Sequence, residues 1–377
     1  MNQVIQGDCL EVMATLPDNS IDLICTDPPY FGVKGGGDKG RFEWWDRQWE
    51  KPTEFLKWID QLAEQWQRIL KPNGSLYCFA SPRMAAQVEV TLGERFAVLN
   101  HITWLKPEAS YVPPYCGKDA MRSWTPFSER ILFCEHYGAD SIAKGEAGYG
   151  AKCDELRGFV FEPLRAYLDG ERQRAGFSVR GVAEAFQQKT GSRTVTGMAG
   201  HWFTSVQWTL PTEENYLWLR RLFNGDGDEY LRREYEYLRR EYEDLRRPFS
   251  VTADVPYTDV WTFPTVQAYR GKHPCEKPAA MLEHIITASS RPDAVVLDCF
   301  AGSGSTLVAA KKLGRQYIGI EIDPHWCDVA KGKLGETQSF VTLEQRVAWL
   351  ETQVQAQGAK LRKIEATQQL SLWESAS

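Results

Sequence analysis

Two short motifs, each placed directly after an apolar run, constrain the fold of this 377-residue chain more than any other feature. The first, Thr26–Tyr30 (TDPPY), follows the run Ile21–Cys25, and the second, Asp298–Gly304 (DCFAGSG), follows Ala294–Leu297. Short continuous apolar runs are typical of buried parallel strands, and open α/β sheets bind ligands at the carboxyl ends of their strands. The two motifs are therefore predicted to face one cleft, although they lie near opposite ends of the chain.

The first motif combines a rigid backbone with a carboxylate and an aromatic ring. Pro28 and Pro29 fix φ, and Pro28 is held extended because a proline follows it. The Asp27 carboxylate and the Pro28 carbonyl offer two acceptors for the protons of an exocyclic amine, and Tyr30 offers a ring that stacks on a planar base. Such acceptors favour the pyramidal amine whose lone pair attacks. The motif thus predicts catalysis by orientation and electrostatics, without a covalent intermediate.

The second motif predicts a cofactor loop. Gly302 and Gly304 allow close approach of the backbone ahead of a helix that begins near Ser305 and Thr306. Glu321 ends the next predicted strand about 20 positions later, where dinucleotide folds bind a ribose diol. The glycine spacing does not complete the dinucleotide fingerprint, which favours a smaller adenosyl ligand.

With both motifs identified, the chain resembles DNA amino-methyltransferases of the β arrangement, which depend on S-adenosylmethionine. In that arrangement an Asp-Pro-Pro-Tyr motif precedes a Phe-x-Gly-x-Gly motif, with the target recognition region between them. Gly7–Leu10 (GDCL), His273–Pro278 (HPCEKP) and Gly319–Asp323 (GIEID) also match family elements in order and spacing. The resemblance covers residues 2–135 and 257–334, approximately.

The resemblance implies a set of site residues. The catalytic residues are Asp27, Pro28, Pro29 and Tyr30. Asp8 would bind the adenine of the cofactor, and the full set assigned to S-adenosylmethionine is Asp8, Asp27, Lys277, Asp298, Phe300, Gly302, Ser303, Gly304, Thr306, Glu321 and Asp323.

The resemblance also implies the reaction, which is methyl transfer to the exocyclic amine of a base flipped out of double-stranded DNA. Adenine N6 is the favoured target because family members that modify cytosine N4 usually carry serine where this chain has Asp27. Cytosine N4 stays open, because some members with aspartate modify it. A methyltransferase acting on RNA or on a protein amide, and a non-catalytic DNA-binding protein with a vestigial core, are further alternatives.

The expected fold is a doubly wound, Rossmann-like α/β methyltransferase sheet with a circularly permuted motif order. Residues 1–135 would form the catalytic half and residues 257–337 the cofactor-binding half. Residues 136–256 would form an inserted, mostly helical recognition region, and residues 338–377 a helical tail. These assignments follow from the alternation of strand-like and helix-like segments in the two halves.

Part of the inserted region has the outline of a helix-turn-helix. Phe177–Lys189 predicts a helix with Ser178 as its cap, a turn follows, and Val195–Trp202 predicts a second helix. From position 156 to 210 the chain carries seven Lys or Arg and four acidic residues, which is a mild positive bias. A helical hairpin that does not touch DNA is the alternative. The predicted DNA-reading side chains are Arg193, Thr194, Thr196 and His201.

Farther along, the heptad YLRREYE occurs twice within Tyr230–Arg247 and predicts one amphipathic helix. The predicted ion pairs at i,i+4 spacing are Glu229 with Arg233, Glu236 with Arg240 and Glu243 with Arg247. This helix is interpreted as a spacer packed on its own domain, with a homodimer contact or a brace on the DNA backbone as alternatives.

The tail has nearly heptad spacing of apolar residues and ends in Gln369–Trp373 (QLSLW), which resembles the bacterial sliding-clamp binding motif with Trp373 in place of phenylalanine. A groove on a partner suits such a segment; packing of the tail on its own domain is the alternative. The glycines after Tyr30, followed by Trp44, Trp45 and Trp49, predict a lid over the flipped base or else a simple connector.

Composition limits the remaining classes of protein. Nine cysteines without a C-x-x-C pair or a metal-like cluster predict reduced thiols in a cytoplasm and no metal site. The DNA substrate implied by the resemblance places the enzyme at the nucleoid. No apolar run approaches the length of a membrane span, and the N-terminus lacks a signal pattern, so no membrane association is expected. The net charge of −6 is unusual for a DNA-binding protein, because contacts with phosphates normally supply much of the affinity, so the distribution of charge matters more than the sum.

Overall fold

The computed structural model describes residues 2–31, 49–107, 122, 124, 127–136, 160–195, 197–205, 208–225, 227–251 and 258–336. These residues form one eight-stranded sheet, ten α-helices and a 3₁₀ helix at Gly197–Trp202. The strands are β1 Asn2–Gln6, β2 Ile21–Thr26, β3 Leu70–Ala80, β4 Phe96–Leu105, β5 Ser128–His136, β6 Val260–Thr262, β7 Val295–Asp298 and β8 Gln316–Glu321. The helices are α1 Cys9–Thr15, α2 Pro52–Ile69, α3 Ala85–Gly93, α4 Glu162–Arg174, α5 Val179–Thr190, α6 Glu213–Asn224, α7 Tyr235–Leu245, α8 Ala279–Ser289, α9 Ser305–Lys312 and α10 Pro324–Glu336.

The strand order across the sheet is β1-β8-β7-β2-β3-β5-β4-β6. Strand β5 runs antiparallel to both of its neighbours, and the other neighbouring pairs are parallel. The two ends of the chain meet where β2 pairs with β7, through Leu23 with Val296 and Ile24 with Leu297. The predicted doubly wound α/β fold is confirmed, and the carboxyl ends of β1, β2, β7 and β8 lie along one edge of the sheet.

The side chains of β2 alternate between the two faces of the sheet. Leu23 and Cys25 pack with α8 and α9 on one face, whereas Ile24 packs with α1, α2 and α3 on the other. Because helices cover both faces, both sets of side chains are apolar. This double burial is the reason that continuous apolar runs predict the central strands.

Helices α4 to α7 and the 3₁₀ helix form a group with a hydrophobic core of its own, which we call the helical insert (160–251). Its largest fully buried side chains are aromatic, namely Trp202, Phe203, Trp208 and Tyr216. The insert therefore packs mainly on itself rather than on the sheet.

The end of the helical insert is anchored at the amino-terminal edge of the sheet, the edge opposite the carboxyl ends of β2 and β7. Arg247 forms a buried ion pair with Glu135 at 2.5 Å, and their side chains are 2% and 1% exposed. Asn73 donates to the carbonyl of Asp244 at 3.0 Å. Arg291, just before β7, donates to backbone carbonyls at the end of α7. The anchor thus lies at one edge of the sheet, and the two sequence motifs lie at the opposite edge.

The predicted helix-turn-helix is present only in its first half. Helix α5 begins at the predicted Ser178 cap, whose hydroxyl accepts a backbone N–H at 2.9 Å, and ends at Gly191 with a φ of 67°. The second helix expected over Val195–Trp202 is instead the six-residue 3₁₀ helix Gly197–Trp202, so that part of the prediction is wrong. Two glycines in this stretch lower its α-helix propensity, and burial of the Trp202 ring fixes the shorter turn.

The helix predicted over Tyr230–Arg247 is also shorter, because α7 covers only Tyr235–Leu245. Leu231 lies before it with a φ of 51°. The Tyr216 hydroxyl donates to the carbonyls of Leu231 and Arg233 and so holds this stretch outside the helix. The ion pairs change with it: Arg233 bonds Glu241 rather than Glu229, and Arg247 bonds Glu135 rather than Glu243.

Several predictions fall outside the described residues. These are the lid segment 32–48, Thr196, and the tail with its Gln369–Trp373 peptide. Among the helices that the structure does describe, none has the length and apolar composition needed to cross a membrane.

The anchor of the helical insert gives a test of the fold. Arg247→Leu removes the cation and leaves the Glu135 carboxylate buried, so we expect a loss of about 3–5 kcal/mol in the free energy of unfolding. Urea denaturation followed by tryptophan fluorescence measures this loss. The double variant Glu135→Leu/Arg247→Leu removes both charges and should recover much of it. A single variant as stable as the wild type would contradict the anchoring role.

Candidate active site

A cavity of about 390 Å³ opens at the carboxyl ends of β1, β2, β7 and β8. This volume lies in the range of small-molecule and cofactor sites. The predicted residues that line it are Asp8, Asp27, Pro28, Pro29, Tyr30, Lys277, Asp298, Phe300, Gly302, Ser303, Thr306 and Glu321. The structure therefore brings the two motifs and the His273–Pro278 segment to one site.

Asp27 follows β2 directly and is buried beside Lys277. Lys277 Nζ donates to Asp27 Oδ2, whereas Asp27 Oδ1 is buried and has no hydrogen-bond partner among the described residues. Burial raises the pKa of Asp27, and the ammonium of Lys277 opposes that rise. The carboxylate thus has one oxygen held by the protein and one that can accept from a ligand.

Tyr30 is held by Glu129, a residue of β5. The Tyr30 hydroxyl donates to Glu129 Oε2 at 3.3 Å, and Lys106 Nζ donates to Glu129 Oε1 at 2.7 Å. Lys277 Nζ lies 3.6 Å from Glu129 Oε2. Burial, Asp27 and Glu129 raise the pKa of Tyr30 well above its usual value, so the hydroxyl stays protonated and donates. The ring is thereby fixed at the wall of the cavity.

Gly302 has a φ of 50° and faces the imidazole of His273. A Cβ at Gly302 would lie 3.1 Å from Cε1 of that ring. His273 packs edge-on against Trp326 with ring centroids 4.6 Å apart, so it is supported from behind. Burial lowers the pKa of His273 to about 4, with Lys277 adding to the effect, and the ring is neutral near pH 7. Glycine is needed here for both its φ and its lack of a side chain.

Glu321 ends β8 and orders the loops beside it. Gly302 N–H donates to Glu321 Oε2 at 2.7 Å, and Asp323 N–H donates to Oε1 at 2.9 Å. Asp8, which follows the neighbouring strand β1, accepts the N–H of Leu10 at 2.9 Å and caps α1. Two carboxylates therefore stand at adjacent strand ends, each fixed by backbone N–H groups.

Asp298 ends β7 and is tied to β2 by the Thr26 hydroxyl, which donates to Asp298 Oδ1 at 3.1 Å. The N–H of Phe300 donates to the same oxygen at 3.1 Å. Burial raises the pKa of Asp298 to about 6, and hydrogen bonds from Thr306 and others limit the rise. The Phe300 ring packs against Trp58 of α2 at 5.6 Å, which closes one wall of the cavity.

Ser303 connects the glycine loop to its neighbours. Its hydroxyl donates to Glu276 Oε2 at 3.1 Å, and Lys333 of α10 lies 3.3 Å from the same oxygen. The Tyr269 hydroxyl also donates to that oxygen, at 2.7 Å. These bonds hold the segment that carries Lys277 against the glycine loop.

Some predicted residues lie elsewhere. Asp323 does not line the cavity, and its carboxylate accepts the N–H of His325 at the start of α10. Gly304, with a φ of 81°, caps α9 behind the lining. Arg193 and Thr194 are exposed on the helical insert and His201 is half-buried there, so their DNA-reading role stays a prediction. The described residues contain no group of three or more His, Cys, Asp or Glu that could hold a metal ion.

Sequence reasoning missed three side chains of this site. Glu129 lies in a strand far from both motifs, and a lone glutamate in a strand gives no local signal. His273 and Glu276 stand in a quoted motif, but only Lys277 was assigned there. Their places against the glycine loop depend on the tertiary fold, and spacing does not reveal them.

The site fits S-adenosylmethionine, the cofactor predicted from the sequence. Asp8 and Glu321 offer acceptors at adjacent strand ends for the adenine and the ribose, as predicted for an adenosyl ligand. Gly302 lets the loop pass close to His273 at the wall of the cavity. Asp27 lines the same cavity, and its buried Oδ1 has no hydrogen-bond partner among the described residues. These residues would hold the cofactor next to the first motif.

The glycine loop gives a test with a matched control. Gly302→Ala forces the left-handed backbone on alanine and crowds His273, so we expect about tenfold weaker binding of S-adenosylmethionine or more. Gly271 has a φ of 80° but open space where its Cβ would be, so Gly271→Ala imposes the backbone strain alone. Isothermal titration calorimetry compares the two. Equal affinities in both variants would show that the close fit of Gly302 against His273 does not matter for cofactor binding.

Comparison with known proteins identifies the family of this chain. The model of the N6/N4 DNA methylase family matches residues 21–332. The type II methyltransferase M.HinfI of Haemophilus influenzae is 26% identical over 349 residues, which are 89% of this chain and 69% of that protein. The DNA adenine methyltransferase YhdJ of Escherichia coli strain K12 is 25% identical over 334 residues, 88% of this chain and 82% of that protein. The solved structure of the cytosine-N4-specific PvuII DNA methyltransferase has a TM-score of 0.47 at 14% identity, covering 88% of this chain and 86% of that one. The family resemblance in the sequence is confirmed: this chain belongs to the N6/N4 DNA methylase family.

Proposed function

We propose that this DNA methylase transfers a methyl group to the N6 amine of an adenine flipped out of duplex DNA at a specific sequence. The observation that carries the proposal is the buried Asp27 carboxylate. One of its oxygens is held by Lys277, and the other is buried without a hydrogen-bond partner among the described residues. Asp27 lines the cavity that also contains the glycine loop. An acceptor placed in this way draws a proton of the target amine and directs its lone pair.

S-adenosylmethionine, the cofactor of this family, supplies the methyl group as an electrophile when it is bound. The protein then has to bind and orient. Asp27 and the rigid backbone at Pro28 and Pro29 accept hydrogen bonds from the amine, and Tyr30 stacks on the base. The neutral His273 and the Glu276 network keep the glycine loop in place. Catalysis in this scheme comes from position and from negative charge aimed at the amine.

The choice of adenine rests on Asp27 at the first position of the motif, where cytosine-N4 enzymes of the family usually carry serine. The name of the relative YhdJ, a DNA adenine methyltransferase, points the same way at 25% identity. Cytosine N4 is the second candidate because its amine would meet the same acceptors. RNA and protein amides are less favoured, since the motif order and the family both point to DNA. The proposed setting is the cytoplasm, as the cysteine pattern predicts, and the nucleoid, where the proposed DNA substrate lies.

The role of Asp27 is tested with two variants. Asp27→Ala removes the acceptor, and Asp27→Asn keeps the shape but removes the charge. We expect both to bind S-adenosylmethionine nearly as the wild type does and to transfer labelled methyl to unmethylated plasmid DNA about 100-fold more slowly or worse. Scintillation counting and calorimetry measure the two properties. Wild-type transfer by Asp27→Ala would remove Asp27 from the mechanism.

The target base is identified by long-read sequencing of plasmid DNA from cells that express the chain. N6-methyladenine at one recurring sequence is the expected result, with none in cells that express Asp27→Ala. N4-methylcytosine at the site would show instead that the target base is cytosine. Unmodified DNA, from protein that binds S-adenosylmethionine normally, would contradict the proposed function.

The pKa of Asp298 predicts a pH dependence of cofactor binding. S-adenosylmethionine carries a net positive charge, so it binds best when this carboxyl is ionised, above its pKa of about 6. Affinity is therefore expected to fall as the pH falls through 6, by about tenfold per pH unit at the limit of one linked proton. Calorimetry between pH 5 and pH 8 measures this change, because these two pH values lie about one unit or more on either side of the pKa of Asp298. Asp298→Asn should lose the step near pH 6. An unchanged step in that variant would assign it to another group, such as Asp27 or Glu321.

A further inference from the structure

Four charged side chains form a connected cluster under the first motif. Lys277 contacts both Asp27 and Glu129, and Lys106 contacts Glu129 alone. Their side chains are between 10% and 27% exposed, so water screens them only partly. Asp27, Tyr30 and Lys277 line the cavity, whereas Glu129 and Lys106 do not.

Among the residues that the structure describes, the charges of this cluster balance. Asp27 and Glu129 contribute two negative charges, and Lys277 and Lys106 contribute two positive charges. Burial alone would raise the pKa of Glu129, but Lys277 and Lys106 outweigh it and hold the pKa below its usual value. Asp27 and Glu129 raise the pKa of Lys277, so its ammonium keeps its proton. Without Glu129 the cluster next to the acceptor would carry a net positive charge.

The sign of this charge matters for the proposed reaction. The amine nitrogen forms a bond to the methyl carbon while the bond from that carbon to sulfur breaks, and the sulfur keeps the electron pair as neutral S-adenosylhomocysteine. The positive charge of the donor therefore moves onto the amine, which then gives one proton to Asp27 and from there to solvent. A positive cluster beside the amine would oppose this movement of charge, and a balanced one does not.

We propose that Glu129 is a positioning residue for methyl transfer, which neutralises Lys277 and Lys106 beneath Asp27 and holds the Tyr30 hydroxyl. This inference rests on the proposed function of the same site. Lys277 orients Asp27 through Oδ2, and Glu129 cancels the charge that this orientation would otherwise impose on the amine. The hydrogen bond from the Tyr30 hydroxyl to Glu129, at 3.3 Å, keeps the stacking ring in a fixed position beside the Asp27 carboxylate.

Three variants separate the charge of Glu129 from its hydrogen bonds. Glu129→Gln removes the charge but keeps an oxygen that accepts from Tyr30. Lys106→Met removes one cation, and the double variant Lys106→Met/Glu129→Gln restores a neutral cluster with fewer hydrogen bonds than the wild type. Glu89→Gln, on a glutamate that pairs with His101 outside the cavity lining, is the matched control.

The single-turnover rate of methyl transfer to a duplex carrying the mapped site is the first measurement. Glu129→Gln should be about 10-fold to 100-fold slower than the wild type, and the double variant should recover most of that rate. Lys106→Met alone should be at least as fast as the wild type. A role limited to hydrogen bonding predicts instead that the double variant is as slow as Glu129→Gln or slower, which would overturn the proposal. A rate like that of the wild type in Glu129→Gln, or a slow Lys106→Met, would overturn it as well.

A binding measurement tests the effect of the net charge of the cluster without requiring methyl transfer. S-adenosylmethionine and S-adenosylhomocysteine differ only in the transferred methyl group and its charge, so the ratio of their dissociation constants senses the field in the cavity. Glu129→Gln should lower the relative affinity for S-adenosylmethionine by about threefold or more, and the double variant should restore it. An unchanged ratio in Glu129→Gln contradicts a charge effect.

The two proposals fail in different ways. If the wild type transfers no methyl group to DNA, the proposed function fails, whatever the variants do. If the wild type transfers methyl groups and Glu129→Gln matches it and the Glu89→Gln control, only the role of Glu129 fails. Thermal melting of each variant, followed by circular dichroism, shows that the compared proteins are folded.

Discussion

The pairing of β2 with β7 is the contact on which the rest of the structure depends. Those strands come from opposite ends of the chain, and Leu23, Ile24, Val296 and Leu297 align them side by side. The Thr26 hydroxyl reinforces the junction, since it donates to Asp298 and accepts the N–H of Cys299 at 3.1 Å. Because the strands are parallel, the two loops that follow them open on the same edge. The pairing of β2 with β7 thus brings the two motifs of this DNA methylase to one candidate active site.

Buried charge is the second constraint, and it shapes how the site is built. A carboxylate at the end of a central strand has lost much of its water, so it needs a cation nearby to remain ionised. Lys277 is that cation, but it adds a positive charge to the site. Glu129 offsets the charge of Lys277, and Lys106 offsets the charge of Glu129. The contacts between these side chains therefore extend from Asp27 to Glu129 of β5 and on to Lys106. The acceptor is thus supported by Lys277 in the cavity and, behind it, by Glu129 and Lys106, which do not line the cavity.

The central strands, the two motifs and the cofactor could be predicted from the sequence because each has a local signature. Apolar runs mark strands buried on both faces, and the residues at their ends are brought together by parallel pairing alone. Glu129 could not be predicted in this way, because its partners Tyr30 and Lys277 lie on other elements. The second half of the expected helix-turn-helix and the ends of the heptad helix were wrong for a related reason. In both places tertiary contacts decide the local conformation, through burial of Trp202 and through the hydrogen bonds of Tyr216.

The anchor of the helical insert lies at the edge of the sheet opposite the candidate active site. The insert closes its own aromatic core and reaches the sheet through Arg247 and a few backbone contacts, so changes on its surface do not pass into the strands that carry Asp27 and Asp298. An exchange of the insert between relatives would need to keep the ion pair with Glu135, the stacking of Phe249 on Phe133 and the hydrogen bonds of Asn73 and Arg291. The predicted reading of DNA by the insert would thereby be separated in space from the residues proposed for methyl transfer.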